Sequence, residues 1–194
     1  DEEAYSTERV SDVARVLSRM GQGIAIRCYG DPVGWIYGKA NEIINNFAYW
    51  ADCPVINMED DKYHPCQGLA DVMTVKEKFG TFKDVKFVMS WAYSPSVHKP
   101  LAVPQSAIIA ATKMGMETVL AHPKGMELDD EIIKHCKKNA EKNNSSFEIM
   151  NDMEEAFEGA HVVYPKAWTC KEFIPPFNDK PELEKSQEVF DRNK

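Results

Sequence analysis

The sequence predicts an α/β protein of doubly wound parallel sheets, and three observations predict it. Short apolar, β-branched runs alternate with runs of helical period along most of the chain. That rhythm means βαβ units, hence parallel strands covered by helices on both faces. Basic residues, Arg27 and Lys166, stand at or just past the ends of two strand-like runs, where open α/β sheets bind ligands. The 194 residues, 43% of them hydrophobic, are enough for one large or two small domains.

The elements follow in order. Thr7 to Met20 is an amphipathic helix with Val10, Val13, Ala14, Leu17 and Met20 on one face and Ser6 or Thr7 as its cap. Gly21 and Gly23 end it, and Ile24-Ala25-Ile26 is a short buried strand running into Arg27. Asp31-Pro32 marks a turn. Trp35 to Trp50 is a helix with Ile36, Ala40, Ile43, Ile44, Phe47 and Ala48 inward, and Pro54 to Asn57 is the next strand. Met58 to Lys62 reads as an acidic loop, and Pro65 opens a helix to Lys78. A proline is tolerated there because its missing N–H has no intrahelical partner in a first turn.

The second half repeats the pattern more regularly. Strands are expected at Val85–Trp91, Glu117–Ala121, Phe147–Ile149 and His161–Tyr164. Helices are expected at Val103–Met114, Asp129–Asn143 (capped by Asp129 or Asp130), Asp152–Phe157 and Pro181–Asp191. The junction from Trp91 to Leu101 contains no glycine, so its backbone cannot approach a pyrophosphate as a dinucleotide-binding turn does.

Charge and composition narrow the partners. A net charge of −8 and a pI near 5.2 argue against a nucleic-acid groove or an anionic membrane surface. No apolar run reaches the length of a membrane span. The five cysteines are odd in number, widely spaced and without a Cys-x-x-Cys, the pattern of reduced thiols rather than of a disulfide framework. His64 and Cys66 have no second ligand pair, so no metal and no cofactor is expected.

The stretch Tyr63-His64-Pro65-Cys66-Gln67-Gly68-Leu69-Ala70-Asp71 places an imidazole, a side-chain amide and free backbone N–H groups at one helix N-terminus, a place suited to a small anion. The same residues also allow an ordinary helix cap with His64 bonded to a backbone carbonyl. The pattern His-Pro-x-Gln-x-Leu-Ala-Asp-x-x-Thr resembles the carbamoyl-phosphate motif of the transcarbamylases, the aspartate and ornithine carbamoyltransferase superfamily. Two further segments carry the likeness: Ala14-Arg15-Val16-Leu17-Ser18 followed by a strand ending in Arg27, and the loop Trp91 to Pro104 with its three prolines after Ser94. The loop is similar to that of the knotted branch, which includes the acetylornithine and succinylornithine carbamoyltransferases.

The resemblance implies two doubly wound domains. Residues 1–80 would be the second half of an incomplete carbamoyl-phosphate-binding domain, and 81–194 a partial amino-substrate domain with a threaded loop. It implies that Arg27, His64 and Gln67 bind carbamoyl phosphate, Arg27 and His64 acting on the developing oxyanion. It implies a cytoplasmic homotrimer, and a chain that is a middle piece, with a Ser-Thr-Arg-Thr loop before Asp1 and a His-Cys-Leu-Pro segment after Lys194. Lys166 and Trp168, in Val162-Val163-Tyr164-Pro165-Lys166-Ala167-Trp168, fall where ornithine enzymes take the substrate's α-ammonium. A lysine there repels that ammonium by about 4 kcal/mol at roughly 4 Å and an effective dielectric of about 20. The expected reaction is carbamoyl transfer from carbamoyl phosphate to an amine other than free ornithine. The rival is a non-catalytic relative that binds an anionic metabolite or a partner chain.

Overall fold

The computed structural model describes residues 8–194. In the first lobe, β1 (Ile24–Arg27) and β2 (Val55–Glu59) pair in parallel, Ile24 opposite Val55. The register slips between Ile26 and Arg27, which sets Arg27 opposite Glu59. Helix α1 (Val10–Ser18) packs on α2 (Lys39–Trp50). α1 starts after Arg9, which makes no side-chain cap, and the expected caps Ser6 and Thr7 lie outside the described residues.

The second helix begins four residues later than its apolar pattern suggests. Trp35 has φ 56° and Gly38 φ 88°, left-handed values that stop helical propagation until Lys39. Ile36 is therefore 42% exposed instead of inward, while Ala40 and Ile44 are buried. The first free N–H groups of α2 are satisfied from a distance: Ala40 and Asn41 donate to the Asp61 carboxylate at 2.9 and 3.3 Å.

Helix α3 (Pro65–Phe79) leads to the larger lobe, whose strands β3 (Lys86–Trp91), β4 (Glu117–Ala121), β5 (Phe147–Met150) and β6 (Val162–Lys166) are all parallel. Helices α4 (Ala102–Lys113), α5 (Asp130–Lys142), α6 (Met153–Phe157) and α7 (Leu183–Arg192) complete it. The sheet order is β5-β4-β3-β6. The chain steps outward from β3 to β5, then returns to the other side of β3, so the switch point lies between the C-terminal ends of β3 and β6. Trp91 and Lys166 face each other there in register. The core joins the inner faces of β3 and β4 to α4 through Phe87, Met89, Leu120, Ile108 and Met116, all at most 2% exposed.

A buried polar network crosses between the lobes. Tyr37 Oη donates to Asp129 Oδ2 at 2.7 Å, Gln105 Nε2 donates to Lys62 O at 2.8 Å, and Asp129 N donates to Gln105 Oε1 at 3.1 Å. Burial first, then the bond to Asp129, pushes the Tyr37 phenol well above its ordinary pKa. The network leaves its buried donors and acceptors paired, as burial of polar groups requires.

Candidate functional site

The C-terminal ends of β1 and β2 and the N-terminus of α3 meet at Glu59. Arg27 Nε donates to Glu59 Oε2 at 2.8 Å, and His64 Nε2 lies 3.5 Å from the same oxygen. The carboxylate is 5% exposed and the Arg27 side chain 58%, so the cluster is closed on the protein side and open to solvent on the other. Arg27 Nη2 also donates to Tyr29 Oη at 2.6 Å, and its guanidinium sits over the Tyr29 ring. The Glu59 hydrogen bond and charge raise the Arg27 pKa further above its ordinary value.

His64 caps α3. The backbone N–H of Gln67 donates to His64 Nδ1 at 3.2 Å, which makes Nδ1 an acceptor and leaves the ring proton on Nε2, facing Glu59. That is the geometry of a helix-capping imidazole that is also a hydrogen-bond donor. Gln67 Nε2 donates to Asp71 Oδ1 at 2.8 Å, so the amide's donor side is committed and its oxygen is left to accept from a ligand N–H. Burial raises the Asp71 pKa, against the lowering effects of the Gln67 bond and of His64, and Asp71 Oδ2 is buried without a partner.

Lys166 ends β6 at the switch point, and its ammonium makes only a long 3.4 Å contact, to Ala167 O, among the described residues. Its pKa is lowered, first by burial and then by the charge of Lys99, with Glu59 acting in the opposite sense. Lys166 therefore feels the same carboxylate that holds Arg27 and His64. Trp168 does not share this crevice. It is fully buried, with its indole N–H on Met126 O at 2.9 Å, which makes it a core aromatic with no face left for a substrate.

Arg27, His64 and Gln67 thus stand together around one carboxylate and one helix end, while Lys166 stands at the switch point of the larger sheet and Trp168 is buried in the core. Glu59 itself escaped the sequence reading. The acidic run 58–62 looks like a solvated loop, but β2 extends through Glu59, and only the strand's pairing with β1 reveals it as a buried charge. Asp60 is just as hidden: fully buried, it takes N–H groups from Asn41, Asn57, Lys62 and Tyr63 at 2.6–2.7 Å.

The fold is that of a parallel α/β protein with Arg27 and Lys166 at strand ends and a helix N-terminus beside Arg27, the kind of place where such folds hold ligands. The comparisons place it. Residues 2–77 match the aspartate/ornithine carbamoyltransferase, carbamoyl-P binding domain, and residues 101–192 match the Asp/Orn binding domain of the same family. The chain belongs to the aspartate/ornithine carbamoyltransferase family. It is 37% identical over 177 residues to the N-acetylornithine carbamoyltransferase of Xylella fastidiosa, covering 89% of this chain and 52% of that protein. It is 43% identical over 117 residues to the putative carbamoyltransferase YgeW of Escherichia coli, covering 59% of this chain and 30% of that protein. Among solved structures, an acetylornithine transcarbamylase complexed with acetylcitrulline superposes with a TM-score of 0.83 at 33% identity, over 95% of this chain and 54% of that one. The chain spans about half the length of the curated relatives it matches.

Proposed function

We propose that the protein at its full length transfers the carbamoyl group of carbamoyl phosphate to the amine of an amino-acid-like substrate other than free ornithine. The observation that carries this is the convergence of Arg27 Nε and His64 Nε2 on one oxygen, at 2.8 and 3.5 Å, from segments far apart in sequence. Two donors aimed at one oxygen are what a developing oxyanion needs. In the structure that oxygen belongs to Glu59. A bound carbamoyl group would take Glu59's place on the donors, leaving the freed carboxylate beside the incoming amine. The Gln67 oxygen would accept from the carbamoyl NH2 and so distinguish carbamoyl from acetyl phosphate. As the amine nitrogen bonds to the carbonyl carbon, the tetrahedral oxyanion forms against Arg27 and His64, and its collapse breaks the bond to phosphate, which leaves with the proton lost by the amine nitrogen.

Residues 1–80 form the carbamoyl-phosphate side in this reading and 81–194 the amine side, with Lys166 reading the second substrate's acyl or carboxylate group. The loop from Trp91 to Pro104 is threaded as in the knotted branch, and the protein works as a cytoplasmic homotrimer. The test is a carbamoyl phosphate titration of the full-length protein followed by an amine panel. Turnover of an acylated or carboxylate-bearing amine supports the proposal, and binding of carbamoyl phosphate with no turnover of any amine supports a binding protein instead.

A further inference from the structure

Two helices from different lobes meet where the capping histidine enters its helix. A Cβ placed on Gly68 of α3 would lie 3.2 Å from Ser106 O and 3.5 Å from Ser106 Cβ, so α3 and α4 are in close contact at this point. Three residues of the segment that follows Glu59 are held by two consecutive residues of α4. Gln105 Nε2 donates to Lys62 O at 2.8 Å, Ser106 Oγ accepts the backbone N–H of His64 at 2.7 Å, and the Ser106 backbone abuts Gly68. Hydroxyls within helices commonly return to the carbonyl four residues back, as Thr74 and Thr112 do here at 2.8 and 2.7 Å. Ser106, only 7% exposed, instead accepts from the other lobe.

We infer that Ser106 is a positioning residue: its hydroxyl fixes the backbone of His64, and through it the imidazole that faces Glu59. His64 has φ −128° and ψ 74°, outside the helical region; its carbonyl accepts the Gly68 N–H of α3 at 3.1 Å, and its own N–H has no partner within α3. Its ring is held on one side by the Gln67 N–H and on the other by Glu59. The 2.7 Å bond to Ser106 fixes the amide side of the same residue, which α3 leaves unbonded. α4 begins where the loop from the switch point ends, at Leu101. Ser106 therefore lies little more than a turn of helix past the end of that loop. The larger lobe thereby sets the donor that the smaller lobe presents.

The inference rests on the carbamoyl-transfer reading for its kinetic arm, and a spectroscopic arm stands apart from it. In the full-length protein, Ser106→Ala and Ser106→Val are compared with Ser106→Thr, which matches valine in shape and keeps the hydroxyl. Alanine and valine lower kcat about tenfold, with the KM for carbamoyl phosphate changed much less, and threonine stays near wild type. In a His64→Ala background Ser106→Ala lowers kcat no further, since the hydroxyl acts through that imidazole. Histidine-selective 15N NMR shows His64 protonated on Nε2 in wild type and Ser106→Thr, and a mixture of tautomers in Ser106→Ala and Ser106→Val. Equal activity of the threonine and valine variants, a further loss in the His64→Ala background, or an unmoved His64 tautomer overturns the assignment. If wild type transfers no carbamoyl group, the functional reading fails, and the tautomer measurement still decides the role of Ser106.

Discussion

Glu59 shows how much a single side chain can decide. Removing the imidazole that shares its Oε2 tests the oxyanion reading directly: His64→Ala is expected to lower turnover of the full-length protein by about a hundredfold or more. Unchanged turnover would take His64 out of the mechanism. Lys166 offers a second test through charge. An ammonium in its place repels the α-ammonium of ornithine and attracts an acylated or carboxylate-bearing amine. Lys166→Asp should therefore reverse the preference order in an amine panel. The pH dependence has a definite sign. Burial and then Lys99 lower the Lys166 pKa, so as pH rises the ammonium is lost earlier than from an ordinary lysine, whose pKa is about 10.4. Binding of an anionic amine substrate should weaken over that alkaline range. Lys99→Ala should move the midpoint upward, and a midpoint that stays put would mean that Lys99 does not act on the site.

Among the elements, the sequence was most legible where periodicity and caps act locally. β4 falls on its expected residues, and α5 begins after Asp129, which accepts the Glu131 N–H at 2.9 Å. α3 was legible for the same reason, with Pro65 at its first position and Gly80, φ 71°, closing it. Legibility failed where a long-range contact supplies what the local sequence lacks. α2 has no cap of its own at Gly38, and Asp61 caps it from across the loop. Glu59 and Trp168 were misread for a related reason: burial depends on strand pairing and packing partners that no window of sequence contains. Asp61→Ala is expected to destabilise the protein by about 1–2 kcal/mol in urea unfolding. Burial raises the Asp61 pKa, so its ionisation costs the fold. The native state holds that proton more tightly than the unfolded chain, and the stability this residue contributes falls as pH rises from the ordinary aspartate value through the raised one. Asp61→Asn keeps an acceptor for the cap and should flatten that part of the stability profile.

The whole molecule carries a net charge of −8, yet Arg27 is paired with Glu59 at the strand ends of the first lobe and Lys99 acts on Lys166 at the switch point. It also leaves apolar surface open, and two such places bear on assembly. Leu69 and Met73, 62% and 60% exposed, lie on α3, and Val163, 44% exposed, lies on β6, an edge strand of the larger sheet. An apolar helix face and an open strand edge are surfaces that soluble proteins ordinarily cover. The family resemblance implies a homotrimer whose sites lie at subunit interfaces, and the full-length protein is expected to scatter light with three times the mass of its chain at micromolar concentration. Leu69→Asp combined with Met73→Asp on the exposed face of α3 separates the two ways of covering that surface. If neighbouring subunits cover it, the double variant should dissociate to monomers and lose turnover while each chain stays folded by circular dichroism. If the rest of the same chain covers it, the variant should instead lose thermal stability and remain a trimer. A wild-type monomer at micromolar concentration would count against the trimer, and with it against a site completed by a second subunit.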